Sequence, residues 1–227
     1  MEVKKYTLKR AAPAPRVDWG SQLDDEQRSV VEAPPGYVLA VAGAGSGKTR
    51  ALTYRVAHLI RQGALPERVM LCTFTNRAAK EMLRRVEELA QVEPGRMWAG
   101  TFHHVGNRVL RRYADRLGIA PDYGILDRAD AVDLLARVIA DRPGPGKRKR
   151  FPQANVLLGM ISLAANTGRT LADLLAQDYA RFAHHGEELD AVAEDYAARK
   201  RRLDVRDFDD LLLGWRDALQ DHPGGAA

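Results

Sequence analysis

The chain has 227 residues and a mass of 25.2 kDa, 45% hydrophobic and 29% charged. That composition belongs to a globular protein long enough for one large or two small cores, and it excludes disorder as the main state. Thirty-five Lys and Arg against thirty Asp and Glu leave a net charge of +5, which permits a polyanionic partner without requiring one. A single cysteine, Cys72, excludes an internal disulfide and a cysteine-based metal site. No run nears the ~18 apolar residues of a bilayer span, and the start, MEVKKYTLKRAAPAPR, lacks the apolar stretch of a secretion signal. A cytoplasmic location with no membrane partner is therefore expected.

Residues 1–22 carry Lys4, Lys5, Lys9, Arg10 and Arg16 among Pro13 and Pro15 without helical or strand periodicity, and are expected to form a basic flexible tail. From Leu23, Asp24 or Asp25 can cap a short helix bearing Gln27, Val30 and Val31, which Pro34, Pro35 and Gly36 end. Tyr37 to Val41 is an apolar run of the kind that fills a buried parallel strand, and it leads straight into AGAGSGKT. Beyond it Leu52, Val56, Leu59 and Ile60 recur at helical spacing, with Gly63 where a C-cap glycine belongs.

The strand and helix pattern then repeats. Val69 to Phe74 predicts a second strand, followed by a helix with Ala79, Met82, Leu83, Val86, Leu89 and Ala90 inward, stopped by Pro94 and Gly95. Met97 to Phe102 predicts a third, followed by one helix with Val105, Val109, Tyr113 and Leu117 on a face, ended by Gly118. Three strands alternating with helices predict an α/β fold with a doubly wound parallel sheet. After residue 118 the pattern becomes almost wholly helical. Asp127 can cap a helix carrying Ala131, Leu134, Leu135, Val138 and Ile139, and further stripes run over Val156 to Leu163, Leu171 to Tyr179 and Leu189 to Leu203. A last helix spans Phe208 to Leu219. The expected divisions are an α/β domain over 23–117, an all-helical insertion over 118–202, and a last helix over 203–227 with a ragged end.

The glycine loop carries the chemistry. In a phosphate-binding loop successive backbone N–H groups face a phosphate, and glycines let the backbone approach. Ala42, Gly43, Ala44, Gly45, Ser46 and Gly47 would cradle the phosphates, Lys48 would reach the β- and γ-phosphates, and Thr49 would ligate Mg²⁺. The first position of G-x-x-x-x-G-K-T is Ala42 here, a departure from the strict pattern. The flanking strand and helix are the context that such a loop requires.

With LDDEQRSVV before it, and TFTNRAAKEM, GTFHH and DFDDLL after it, AGAGSGKTR resembles the amino-terminal part of the UvrD, Rep and PcrA helicases of superfamily 1, over about Leu23 to Leu213. The resemblance implies a P-loop (RecA-like) motor domain with a helical insertion, ATP and Mg²⁺ as cofactors, and 3′ to 5′ movement on single-stranded DNA toward duplex junctions. Gln27 then corresponds to the glutamine that reads adenine; a carboxamide donates and accepts at once, as a base edge requires. Arg50 corresponds to an arginine stacked on the adenine face.

TFTNRAAKEM corresponds to motif Ia. Phe74, at a strand's carboxyl end, is either a stacking platform for a base or a core residue. Thr75 and Asn76 would hold a DNA phosphate at the helix start, although Asn76 could also serve only as an N-cap; Arg77 keeps the positive charge of the family's usual lysine. Thr101, Phe102 and His103 correspond to motif Ib beside the DNA track, with His104 where serine is usual. His103 with His104, and His184 with His185, make poor metal sites, because adjacent residues point apart and no third ligand is placed. In DFDDLL, Asp207 or Asp209 reads as a helix cap and no catalytic role is assigned. RPGPGKRKR, with Lys147 to Arg150, is a solvated charge run or a contact for duplex DNA.

Hydrolysis in this architecture needs a second acidic motif, D-E-x-Q in the family, and none occurs in the 227 residues. Asp24, Asp25 and Glu26 lie before the loop and not at a strand end. The chain thus reads as the front third of a helicase, cut just before the acidic strand, and exposed apolar edges with marginal solubility are expected of it. Three functions follow: an ATP-driven DNA helicase when the remainder is supplied, a module that binds nucleotide and single-stranded DNA without turnover, and an unrelated phosphate-loop kinase or GTPase. The last does not account for TFTNRAAKEM. Repair and replication roles, and protein partners in either, are not distinguished.

Overall fold

A computed structural model describes residues 21–142 and 151–221. The expected basic tail lies outside them except for residues 21 and 22, as do the cationic loop Lys147 to Arg150 and the last six residues. The chain divides into two compact units, 1–102 and 103–227. No described helix is long and apolar enough to cross a membrane.

In the first unit, α1 spans Asp25–Glu32, α2 Lys48–Arg61, β1 Met70–Thr73, α3 Asn76–Ala90 and β2 Trp98–Thr101. Asp24 starts α1, its carboxylate accepting the Gln27 N–H at 2.7 Å. The α2 helix ends with Arg61 in its last turn and Gly63, expected there from sequence, at φ +105 after the C-cap. The α3 helix starts at Thr75, whose hydroxyl accepts from the Ala78 N–H at 3.2 Å, so Thr75 rather than Asn76 is the N-cap. It stops at Gln91, in the left-handed region at φ +55, and not at Pro94 and Gly95. The two strands pair in parallel, from Met70 opposite Trp98 to Thr73 opposite Thr101. The core they share with α2 and α3 contains Val56, Leu71, Met82, Val86, Met97 and Ala99.

The Tyr37 to Val41 run does not form the expected strand. It joins no ladder, and Tyr37, Leu39 and Val41 stand fully exposed. A strand is stable only through neighbours that satisfy its backbone and cover its faces, and β1 and β2 pair with each other. The doubly wound three-stranded sheet is therefore replaced, among the described residues, by two small parallel pairs.

The second unit holds most of α4 (Phe102–Arg112), then α5 (Ala114–Leu117), β3 (Gly124–Ile125), α6 (Arg128–Asp141), α7 (Ala154–Thr167), α8 (Leu171–Gln177), α9 (Gly186–Arg202), β4 (Val205–Arg206) and α10 (Phe208–Asp221). The single helix expected before Gly118 breaks at Tyr113, whose backbone is not helical (φ −108, ψ 17). The buried face is Val105, Leu110 and Ala114, not Val109, Tyr113 and Leu117. The β3 and β4 strands form a short parallel pair, Gly124 opposite Val205, within a region expected to be helical. Asp127 caps α6 through the Asp130 N–H at 2.9 Å. Leu135, Leu157, Met160, Leu174, Leu189, Val192 and Tyr196 make up the centre of this unit's core.

Asp207 caps α10 reciprocally: its carboxylate accepts the Asp210 N–H, and Asp210 accepts the Asp207 N–H, both at 3.0 Å. Asp209 instead accepts from the Asn166 carboxamide at 2.7 Å. Lys200, from α9, donates to Asp207 at 2.6 Å and Asp210 at 2.7 Å, and the Tyr196 hydroxyl donates to Asp207 at 3.0 Å. Lys200 and Asp207 are each only 8% exposed, so this is a desolvated charge cluster. Burial pushes the Asp207 carboxyl up, but Lys200 and the hydrogen bonds from Asp210 and Tyr196 outweigh it and hold it below the usual range. Asp210 goes the other way, raised by burial and by Asp207 against the pull of Lys200. Burial, with the Asp207 charge, also drives the Tyr196 phenol well up, so it stays protonated and donates.

Candidate nucleotide and nucleic-acid sites

The phosphate loop is built by its glycines. Gly45 and Gly47 lie at φ +80 and +81, where a side chain is strained, and Gly47 opens α2 as its N-cap. A Cβ added at Gly43 or Gly45 would meet nothing within 4 Å, so the backbone on that side is open to approach. One added at Gly47 would fall 2.5 Å from the Gln27 amide nitrogen. That amide donates to the Ser46 carbonyl at 3.0 Å, which fastens α1 to the loop. Ser46 closes the turn through its hydroxyl on the Gly43 carbonyl at 2.9 Å. The Lys48 ammonium donates to the carbonyls of Ala42 at 3.0 Å and Gly43 at 2.6 Å, so it folds back over the loop it follows.

Gln27, Ala42, Ser46 and Lys48 line one cavity of about 470 Å³, together with Asp24, Val38, Leu52 and Arg55. Thr49 is exposed as the second residue of α2, and its carbonyl accepts from the Thr53 hydroxyl at 3.0 Å. Ala44 is exposed on the loop. Arg50 does not line that cavity. It shares a separate hollow of 340 Å³ with Tyr54, Arg84, Arg85, Glu88 and Leu89, its guanidinium carbon 5.9 Å from the centre of the Tyr54 ring.

The residues fit a Mg²⁺–triphosphate. An exposed glycine backbone, the positive end of a fourteen-residue helix, an ammonium and an adjacent hydroxyl supply donors and a cation ligand. Lys48 has three N–H donors, and phosphate oxygens are stronger acceptors for them than loop carbonyls.

A second group of expected residues gathers at the carboxyl ends of β1 and β2. Phe74 follows β1 and is 87% exposed, so it is not a core residue. Its ring lies 5.4 Å from that of Phe102, tilted by 53°. Thr75, Asn76 and Arg77 are exposed at the start of α3 beside it, and Thr101 ends β2 immediately before Phe102. His103 belongs to the second unit, where its ring meets Phe208 edge-on at 5.4 Å. A hollow of 410 Å³ in that unit, lined by Tyr123, Lys200, Arg206 and Asp210 among others, contains none of the residues expected from sequence.

Two residues near the loop escaped the sequence reading. Arg55 of α2 donates to the carbonyls of Val31 (2.8 Å), Ala33 and Pro34 (3.3 Å), at the end of α1. Tyr54 donates to the Gln22 carboxamide. Arg55 stands seven positions after Lys48, two turns along the same helix face, and that spacing was its only sequence signal.

Comparison with known proteins gives these sites a context. A family model described as the UvrD/REP helicase N-terminal domain matches residues 23–226, and the chain belongs to that family. The chain is similar to the ATP-dependent DNA helicase PcrA of Leuconostoc citreum, 37% identical over 206 residues, covering 88% of this chain and 26% of that protein. It is likewise similar to PcrA of Staphylococcus epidermidis, 37% identical over 194 residues (84% and 26%), and of Staphylococcus aureus, 35% over 196 residues (85% and 26%). It thus spans about a quarter of the length of the curated relatives it matches. Small parallel sheets among helices are consistent with a helicase amino-terminal domain.

Proposed function

We propose that this chain is the nucleotide-binding, amino-terminal portion of an ATP-dependent DNA helicase that moves 3′ to 5′ on single-stranded DNA. The observation that carries the reading is the joining of Gln27, Ser46 and Lys48 around one glycine loop in a single cavity. In this reading residues 23–117 belong to a P-loop motor of RecA-like type and 118–202 to its helical insertion. The backbone of 43–47 and Lys48 hold the β- and γ-phosphates, Thr49 holds Mg²⁺, and Gln27 keeps a carbonyl oxygen and a second N–H for the adenine edge. Arg50, exposed on α2, is assigned to the adenine face. A cytoplasmic setting and a repair or replication role accompany this assignment.

Within the 227 residues, binding without turnover is the activity we assign. No D-E-x-Q is present, and Asp24, whose carboxylate lines the loop's cavity, is engaged in capping α1. Carboxylates that orient water on the γ-phosphate would have to come from elsewhere in a longer protein.

Single-stranded DNA is assigned to the Phe74 and Phe102 rings, with its phosphates toward Thr75, Asn76 and Arg77 and the track continuing past Thr101. An exposed aromatic pair beside a helix N-terminus stacks bases without reading sequence. Phe74→Ala is expected to weaken binding of an oligothymidylate by about 1–3 kcal/mol, measured by fluorescence anisotropy at fixed salt. Unchanged affinity would remove Phe74 from the DNA site.

A further inference from the structure

Among the side chains lining the glycine-loop cavity, Arg55 has no role in holding phosphate or base that the proposed function uses. Its guanidinium is turned away to three main-chain carbonyls, those of Val31, Ala33 and Pro34. These acceptors sit where α1 ends and the connection to the glycine loop begins. The α1 helix has no basic residue in its own last turn, so Arg55 supplies from α2 the positive charge that unpaired C-terminal carbonyls favour. At the helix's other end Asp24 caps, and Gln27 is tied to Ser46. The α1 helix is therefore tied to the block formed by the loop and α2 at two places, through Gln27 near its start and through Arg55 at its end.

We infer that Arg55 is a positioning residue for base recognition: by holding the carboxyl end of α1 against α2, it sets the height of the Gln27 carboxamide above the phosphate loop. The inference rests on the nucleotide reading of this site. A carboxamide that reads a base must be placed within a few tenths of an ångström to make both its hydrogen bonds. A planar fork that spans three carbonyls fixes an eight-residue helix in a way that a single-point ammonium cannot. The role differs from a direct phosphate contact, because the donors of Arg55 are engaged with main-chain carbonyls.

The test uses the full chain and competition against a fluorescent ATP analogue in Mg²⁺, with ATP, GTP and inorganic tripolyphosphate as competitors. Arg55→Ala is expected to weaken ATP about tenfold, the scale of one lost hydrogen bond to the base, and to leave tripolyphosphate within about twofold. The preference for ATP over GTP should shrink accordingly. Arg55→Lys, which keeps the charge, should lie between and guards against a misfolded alanine variant. In a Gln27→Ala background, Arg55→Ala should have no further effect on ATP. Equal losses for ATP and tripolyphosphate, or losses that add fully to those of Gln27→Ala, would overturn the inference while leaving the nucleotide site intact. No saturable binding of any nucleotide by the unsubstituted chain would overturn the proposed function and the inference with it.

Discussion

Replacing Lys200 by methionine is expected to destabilise the second unit by about 3–5 kcal/mol, because it removes the cation that two desolvated carboxylates share. Lys200 bridges Asp207 and Asp210 at 2.6 and 2.7 Å, and its packing beside the Tyr196 ring, 4.6 Å from ammonium to ring centre, survives in the isosteric methionine. The loss is therefore electrostatic and shows in its pH dependence. In the unsubstituted chain Asp207 has a lowered folded-state value, so its stabilisation is present above the ordinary carboxylate range and fades as pH falls through its own lower value. Asp210, raised, opposes this by binding a proton more readily when folded. Without Lys200 the hydrogen bonds from Tyr196 and from the Asp207 and Asp210 N–H groups remain, but burial and the mutual repulsion of the two carboxylates are expected to outweigh them, so both rise. The folded state then binds more protons than the unfolded one, and stability falls with rising pH. Urea unfolding of Lys200→Met at pH 4 and pH 7 should give the higher stability at pH 4. A variant as stable as the parent, or one more stable at pH 7 than at pH 4, would show that the cluster carries no net charge energy.

The second large effect is expected from Lys48→Ala, which should weaken Mg·ATP by about 2–3 kcal/mol, roughly 30- to 150-fold in Kd. Lys48 is exposed, and its two hydrogen bonds are local ones to Ala42 and Gly43. Its removal should change folding stability by only about 0.5 kcal/mol or less. Affinity and stability thus separate, and calorimetric titration alongside thermal melting reads both. An equal affinity for the variant would remove Lys48 from the nucleotide site.

These two residues mark what could and could not be read from sequence. The glycine loop is a contiguous motif whose neighbours in sequence are its neighbours in space, so Gly43, Gly45, Gly47 and Lys48 were legible, and so were the local caps at Asp24, Asp127 and Asp207. The Lys200 cluster and the Arg55 clasp were not, because each depends on how two helices pack, which periodicity leaves open. Apolar content misled at Tyr37 to Val41: it identifies residues able to fill a parallel strand, but a ladder needs partners and these residues have none in β1 or β2. Helix ends were missed where the backbone broke rules of composition. Gln91 takes the left-handed position usually given to glycine, and Tyr113 leaves the helix with no glycine or proline to announce it. Phe74 was ambiguous between core and platform from its strand position alone, and its exposure beside Phe102 decides against the core.

The proposed function requires that the first unit hold Mg·ATP at the glycine loop and that these 227 residues leave it unhydrolysed. A single-turnover experiment with γ-labelled ATP, Mg²⁺, single-stranded DNA and excess chain measures retained nucleotide and released phosphate together. ATP should be retained intact, with retention lost in Lys48→Ala. No retention by the unsubstituted chain, or phosphate released at a rate that Lys48→Ala abolishes, would contradict the proposed function.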